Sequence, residues 1–410
     1  MVDEFVPTKE WLSKSLGGVP VSHLSVKKFG GEGNRGVSGA SFFKCTASFD
    51  GPVVNPTYGL PTEYFLKIRN ANQDANEFAI ESTVDKLAEN LPHPPPLAHM
   101  FSIGQNHMLM EDAGTPLDGN YTFNEAEMTQ VLDSYADLHG AFWNIPKVEL
   151  LRSAEWWGAV FTGSFLGKEE MDRWLDWRMT PEPYLSLIRR ARDELGFERI
   201  FEFMNRHGVT LAQGDAHNGQ LLRLSELASS THGGRKFGII DFGTAVRANP
   251  AVDVGSILRS LNADKRHEEF DFVRYYLKSL RLRLGEHATT LKMTDEDFFH
   301  DYKLGKLFRI LFEGTFQWMS LPDEIKNNAN YPKGFSPRRQ PLPSIMCVAW
   351  LVGWLACRQT CAGWQFVCFA GWLTGCMVGW LAGFLAGLLS GDGNQRRERR
   401  RRCALTRDCC

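Results

Sequence analysis

The sequence predicts an α+β protein of two lobes, strand-rich at the N-terminus and helical behind it, followed by an atypical apolar tail. Three observations carry that expectation. Apolar and β-branched runs separated by glycine and proline fill most of residues 24–114. Apolar positions then recur at helical spacing over much of residues 122–320. Finally, "AGWQFVCFAGWLTGCMVGWLAGFLAGLLSG" (362–391) contains no charged residue. The divisions expected from these shifts are 1–112, 113–335 and 336–410.

Each element has a local reason. Residues 24–49 read as strand, glycine-rich turn and strand, with Gly30, Gly31, Gly33, Gly36 and Gly39 between the apolar flanks. "EYFLKIRN" (63–70) is a further strand carrying Lys67. "NEFAIESTVDKLAENL" (76–91) places Phe78, Ile80, Val84, Leu87 and Leu91 on one helix face, and the prolines at 92 and 94–96 end it. "HMLMEDAG" (107–114) is a short strand leading into a loop. From Thr122 the pattern turns helical: "TFNE" has the form of a capping box, Thr122 with Glu125, and Met128, Val131, Leu132, Tyr135, Leu138 and Phe142 mark an apolar face. Further helical stretches cover about 168–206, 250–285 and 295–320, and "KFGIIDFGTAV" (236–246) is an apolar strand ending in Asp-Phe-Gly.

A composition of 43% hydrophobic and 23% charged residues describes a globular body with a sizeable core. The net charge of −2 gives no electrostatic case for a nucleic-acid partner. That average combines an acidic body with an arginine-rich end. Of the nine cysteines only Cys45 precedes Cys347, so the body has no disulfide framework. The start lacks an apolar run, so no secretory signal is expected and the body reads as cytoplasmic.

The residues that carry chemistry lie on these elements in order. Lys67 sits inside a strand and Glu81 on the next helix, so a lysine for nucleotide phosphates and a carboxylate to orient it are both present. The bland reading of the pair is an exposed strand lysine and a surface glutamate. Met110, Glu111 and Asp112 in "LMED" lie where a backbone passing between lobes reads adenine, and Gly31 and Gly33 lie in a turn whose N–H groups could approach phosphates. "LAQGDAHNGQLL" (211–222) offers Asp215 as a base for a hydroxyl proton and Gln220, five residues on, as an amide ligand for a metal. Asp241 ends an apolar strand, where a charge is costly unless employed, and is the second metal ligand.

With those residues in view, the chain resembles the aminoglycoside phosphotransferase and choline kinase-like superfamily, and most of all its ecdysteroid-kinase-like branch. The stretches that carry the resemblance are "QGDAHNGQ", "IIDFGTA", "NPAVDVGSIL" and "YADLHGAFW". It spans roughly residues 20–330 and implies a two-lobed protein-kinase-like fold whose first lobe binds nucleotide. It also implies ATP and Mg²⁺ as cofactors and a small-molecule hydroxyl acceptor. By the same match Asp215 is the catalytic base, His217 the second histidine of the loop, Asp241 the principal metal ligand and Asp253 an organiser of the loop. Two positions depart from the family pattern. Gln213 stands where a bracing histidine is usual, although an amide also donates and accepts. Gln220 stands where asparagine is usual, with a stem one methylene longer, and Mg²⁺ demands near-octahedral oxygens at about 2.0–2.1 Å. Asn218 is an alternative amide, two residues displaced. The competing reading is a weakened pseudokinase, a nucleotide-binding or membrane-tethered scaffold.

Trp143, Trp156, Trp157, Trp174, Trp177 and Trp318 include candidates for an aromatic cage around a quaternary ammonium, but bulky core packing is the commoner use of such residues. In the tail, Gly371, Gly375, Gly379, Gly383, Gly387 and Gly391 recur every fourth position ahead of "RRERRRR" (396–402). About 20 apolar residues cross a bilayer, so residues 345–391 are a candidate membrane segment. The recurrence of Gly-Trp-Leu at 353, 371 and 379 is equally a low-complexity signature of translated repeat sequence.

Overall fold

In the computed structural model the described residues are 5–29, 40–50, 62–69, 75–91, 93–104, 106–153, 155–157, 201–290 and 293–319, with a few single positions between 172 and 194. The chain divides into two units, Met1–Ala349 and Trp350–Cys410, and every described residue belongs to the first. The tail, the expected boundary at 335 and the glycines at 30, 31, 33, 36 and 39 lie outside the described residues, as does most of the helical stretch expected over 168–206.

The first lobe is an antiparallel sheet in the order β1-β2-β3-β5-β4, built from β1 (Val21–Phe29), β2 (Ser41–Phe49), β3 (Glu63–Ile68), β4 (Met100–Ile103) and β5 (His107–Glu111). Alternation sorts its faces. Phe43, Cys45 and Ala47 of β2 and Tyr64, Leu66 and Ile68 of β3 share one core with Leu109. Leu12 and Leu16 add to that core from α1 (Lys9–Ser15) and its C-cap; Thr8 caps the helix by accepting from the Trp11 N–H at 3.2 Å. Lys67 is out of phase with Leu66 and lies on the side of α2 (Ala75–Glu89). The sequence reading gave neither α1 nor β4, which are too short to show a period.

The second lobe carries two small antiparallel sheets. β6 (Gly114–Pro116) pairs with β8 (Leu221–Leu224), which pairs with β9 (Phe237–Ile239); β7 (Thr210–Ala212) pairs with β10 (Val246–Ala248). Among the described residues its named helices are α3 (Glu125–Ala141), α4 (Glu226–Thr231), α5 (Ala251–Ile257), α6 (Glu269–Leu284) and α7 (Asp295–Met319). All six apolar residues expected on the α3 face are buried. α3 packs on α6, and α5 on α7. The α5–α7 contact is backbone to backbone: a Cβ at Gly305 would lie 2.2 Å from the Ala251 carbonyl oxygen, and one at Gly255 2.7 Å from the Lys306 nitrogen.

Two expectations are corrected by one residue. The capping box is not Thr122 with Glu125 but Asn124 with Glu127, whose side chains bond reciprocally to the Glu127 and Asn124 backbone N–H groups at 3.0 and 3.3 Å. The expected helix over 250–285 is broken between Leu258 and Glu268 by two 3₁₀ turns with an extended Leu261 between them. Fully buried Phe123 explains both, because its N–H donates to the Ser260 carbonyl at 2.8 Å and its carbonyl accepts from Asn262 at 3.0 Å. That parallel bridge holds residue 123 extended, so α3 cannot start before it, and holds 261 extended, so α5 cannot run into α6. Among the described residues no helix is long and apolar enough to cross a membrane.

Candidate active site

The two lobes meet around Lys67. Its ammonium lies 2.6 Å from Glu81 Oε1 on α2 and 3.1 Å from Asp241 Oδ1 of the second lobe. Lys67 is 5% exposed and Glu81 fully enclosed beside it, so this is neither an exposed lysine nor a surface glutamate. Asp241 follows β9 in a left-handed backbone conformation, φ 61°, which aspartate tolerates better than most residues, and its side chain is 42% exposed. α2 presses close here: a Cβ at Gly243 would lie 3.3 Å from Glu81 Oε1.

One ammonium facing two carboxylates leaves a surplus negative charge. Burial, partly offset by Lys67, pushes the Glu81 carboxyl up to about 8. Desolvation opposes the charge of Lys67, but the two carboxylates outweigh it and raise its pKa, so the lysine is charged. For Asp241 desolvation again opposes ionisation, and Lys67 outweighs it, holding that carboxyl below the usual range. The cluster therefore takes up a proton at Glu81, the more buried of the two carboxyls. Gln220 completes the cluster, its Nε2 donating to Asp241 Oδ2 at 3.1 Å.

The loop after β7 is braced from below. Gly214 has φ 84°, and a Cβ there would lie 2.4 Å from the Thr244 carbonyl oxygen, so the position requires glycine. Asp253 on α5 is wholly buried and accepts from the Gln213 and Gly214 N–H groups at 2.6 and 2.9 Å. His139 Nε2 stands 3.1 Å from the same carboxylate, and His139 Nδ1 lies 2.7 Å from the Tyr276 hydroxyl; a proton on Nε2 satisfies both bonds. Gln213 takes the Tyr135 hydroxyl on its amide oxygen at 2.9 Å and donates to the carbonyl of Ile240 at 2.5 Å, tying this loop to the residue before Asp241. At roughly 1–3 kcal/mol for each buried donor left unmet, Asp253→Ala is expected to melt well below the wild type. An unchanged thermal midpoint would show that the brace carries no stability.

Asp215 projects from that loop. One carboxylate oxygen, Oδ1, accepts from Arg309 Nη1 on α7, and the other lies 3.7 Å from His217 Nε2. Burial works against its charge, but Arg309 and His217 outweigh it and hold the carboxyl well below the usual carboxylate range. Asn218 is buried, with its Nδ2 donating to the Tyr121 carbonyl at 2.5 Å, so it is committed elsewhere than beside Asp241.

The other expected residues have these surroundings. The carboxylate of Asp112 is paired with Lys44 at 2.7 Å, and the N–H groups of Glu111 and Asp112 donate to His99 and Glu63 carbonyls at 2.8 and 3.4 Å. Met110 lies within β5, paired with Phe65. Trp157 is core, edge-on to Phe308, and the Trp156 ring carries the guanidinium of Arg152 at 4.2 Å. Trp174, Trp177 and the side chain of Trp318 lie outside the described residues. Sequence reasoning missed Arg309, Tyr135 and Tyr276. For Arg309 a signal existed: one charge in the apolar run Leu307, Phe308, Ile310 of a helix.

Fold and site together describe a two-lobed α+β protein with a lysine–carboxylate cluster where the lobes meet. No protein-family model and no curated protein matches the chain. Solved structures it resembles are small-molecule kinases. The ethanolamine kinase of Plasmodium vivax is 10% identical, with 80% of this chain and 82% of that one covered at a TM-score of 0.42. A choline kinase from Cryptosporidium parvum Iowa II is 12% identical over 73% and 83% at 0.41. An aminoglycoside phosphotransferase from Streptomyces rimosus is 15% identical over 69% and 92% at 0.37. At such identities and scores the function has to be read from the site.

Proposed function

We propose that the chain is an ATP- and Mg²⁺-dependent phosphotransferase that phosphorylates a hydroxyl of a small molecule. The observation that carries this is the buried Lys67 ammonium, held between Glu81 of its own lobe and Asp241, 174 residues away in sequence. Lys67 binds the nucleotide phosphates and Glu81 keeps it aimed at them. Asp241 and Gln220 hold Mg²⁺, which supplies neutralising charge for the phosphates. The donor set suits that ion: two hard oxygens, one of them on an ionised carboxylate. Gln220 now turns its N–H to Asp241, and rotation of the amide presents its oxygen instead. Asp215 aligns the acceptor hydroxyl and accepts its proton, and His217 and Asp253 hold its loop. The glycine turn with Gly31 and Gly33, and the Met110–Asp112 segment, border the nucleotide in this reading. Placement in the ecdysteroid-kinase-like branch rests on the sequence stretches alone. A body with one cysteine suits a reducing, cytoplasmic setting.

The stem of Gln220, one methylene longer than the asparagine usual in the resembled family, favours a second reading, a weakened enzyme acting as a nucleotide-binding scaffold. Gln220→Asn separates the two. Shortening the stem is expected to raise turnover on the order of 10-fold, the scale on which groups around a metal tune activity. The measurement is phosphorylation of a metabolite extract with labelled ATP, with Asp215→Ala as control. No labelled product from either the wild type or the asparagine variant would favour the scaffold.

A further inference from the structure

α7 delivers one arginine into the second lobe. Arg309 lies one turn beyond Gly305, on the helix face that the Gly305–Ala251 approach presses against α5, and its side chain is 5% exposed. Its neighbour Phe308 packs edge-on to Trp157 and Phe201, with ring centroids 5.5 and 5.6 Å away, which fixes the rotation of the helix. A buried guanidinium is costly unless it meets an anion, and the anion here is Asp215. The two carboxylate oxygens are thereby made unequal. Oδ1 accepts from Arg309, whereas Oδ2 faces His217 Nε2 at 3.7 Å, too long for a full hydrogen bond. His217 Nδ1 accepts the Gly219 N–H at 3.0 Å, so a neutral ring carries its proton on Nε2, towards Oδ2.

We propose that Arg309 is a positioning residue for phosphoryl transfer: it clamps Oδ1 of Asp215, so that the carboxylate is held in one orientation and Oδ2 receives the acceptor hydroxyl. This rests on the reading of the site given above. In the step so arranged, the acceptor oxygen forms a bond to the γ-phosphorus while the bond from that phosphorus to the β,γ-bridging oxygen breaks. ADP leaves with the electron pair, and the hydroxyl proton passes to Oδ2. A clamped carboxylate is a weak proton acceptor, which suits a loose transition state in which the hydroxyl proton leaves late. The charged and titratable groups facing Asp215 are Arg309 from α7, His217 from its own loop, Asp241 after β9 and Tyr135 from α3. Only the first two favour its ionised form, and the charge of Arg309 is the largest single contribution to it.

Arg309→Gln and Arg309→Lys test the clamp. The glutamine variant is expected to lower kcat roughly 10–100-fold, the cost of a misplaced reacting group. The KM for ATP should stay nearly unchanged, and the acid limb of the pH–kcat profile should move to higher pH. Lysine restores the charge without the fork geometry and should recover part of both. A merely structural arginine would lower the thermal midpoint and leave that limb in place. Should the variants fail to fold, a ¹³C carboxyl titration of the wild type, assigned by difference with Asp215→Asn, reads the clamp directly. Asp215 titrating at the ordinary aspartate value, or Arg309→Gln with unchanged kcat and acid limb, would overturn the inference. A wild type without turnover on any acceptor overturns the phosphotransferase reading itself; an active wild type with an ordinary Asp215 titration overturns the clamp alone.

Discussion

Asp215→Asn is expected to lower turnover by roughly 10²–10⁴-fold, the range for removing a positioned general base. Nucleotide binding should persist, because Lys67 and Glu81 are untouched. The variant should also be less stable. Arg309 loses its contact with a carboxylate, at roughly 1.5–3 kcal/mol for a hydrogen bond to a charged group. The pH dependence has a definite sign. The folded-state pKa of Asp215 is depressed, so its contribution to stability is present above the unfolded value of 3.8 and is lost as pH falls towards the folded one. Acid unfolding of the wild type therefore includes a component that Asp215→Asn lacks. Calorimetry over the acid range, beside a single-turnover assay, checks both halves. A fully active Asp215→Asn would remove the catalytic role.

Asp241→Asn should be as inactive and yet no less stable. A carboxylate that holds a metal against phosphate contributes several kcal/mol of transition-state charge stabilisation, or on the order of 10²–10⁴-fold in rate. In the free protein, however, Asp241 is the second carboxylate on a single ammonium. Its removal leaves the Lys67–Glu81 pair at 2.6 Å and takes away a charge that destabilises ionised Glu81. The expected result in metal-free buffer at neutral pH is a melting temperature equal to or above that of the wild type. Such a gain paired with lost activity marks a site arranged for function at the expense of stability. A strongly destabilised Asp241→Asn would instead make Asp241 a structural partner of Lys67. The opposite stability shifts expected for the two aspartates separate their roles more sharply than two losses of activity could.

Much of this site was legible in the sequence because its residue types are rare in their settings. A lysine inside an apolar strand and an aspartate closing one are each costly unless paired, and the structure pairs them with each other. Gln213 reads in sequence as a departure from a bracing histidine, and in space its amide bridges Tyr135 and Ile240. Asn218 read as a reserve amide, yet a bond to the Tyr121 carbonyl takes it out of reach. The capping register was ambiguous because Thr122 and Asn124 are both acceptable caps with glutamate three residues on. Only the bridge from Phe123 to residues 260–262 decides between them. Arg309 was not read at all, since no motif connects a residue late in a helix to a loop 94 residues earlier.

The sequence alone determined the α+β character, the strand-rich first lobe and helical second one, the longer strands and the α3 face, and a set of charged and amide side chains spaced along them. Those properties depend on period, caps and residue type, which act within a few turns of chain. The tertiary structure decided which groups meet: Lys67 with Asp241, Asp253 under the loop that carries Asp215, and Arg309 on one oxygen of Asp215. Such pairings depend on how sheets and helices pack across the molecule, as where two glycines let α5 and α7 touch backbone to backbone, and no local pattern encodes that distance.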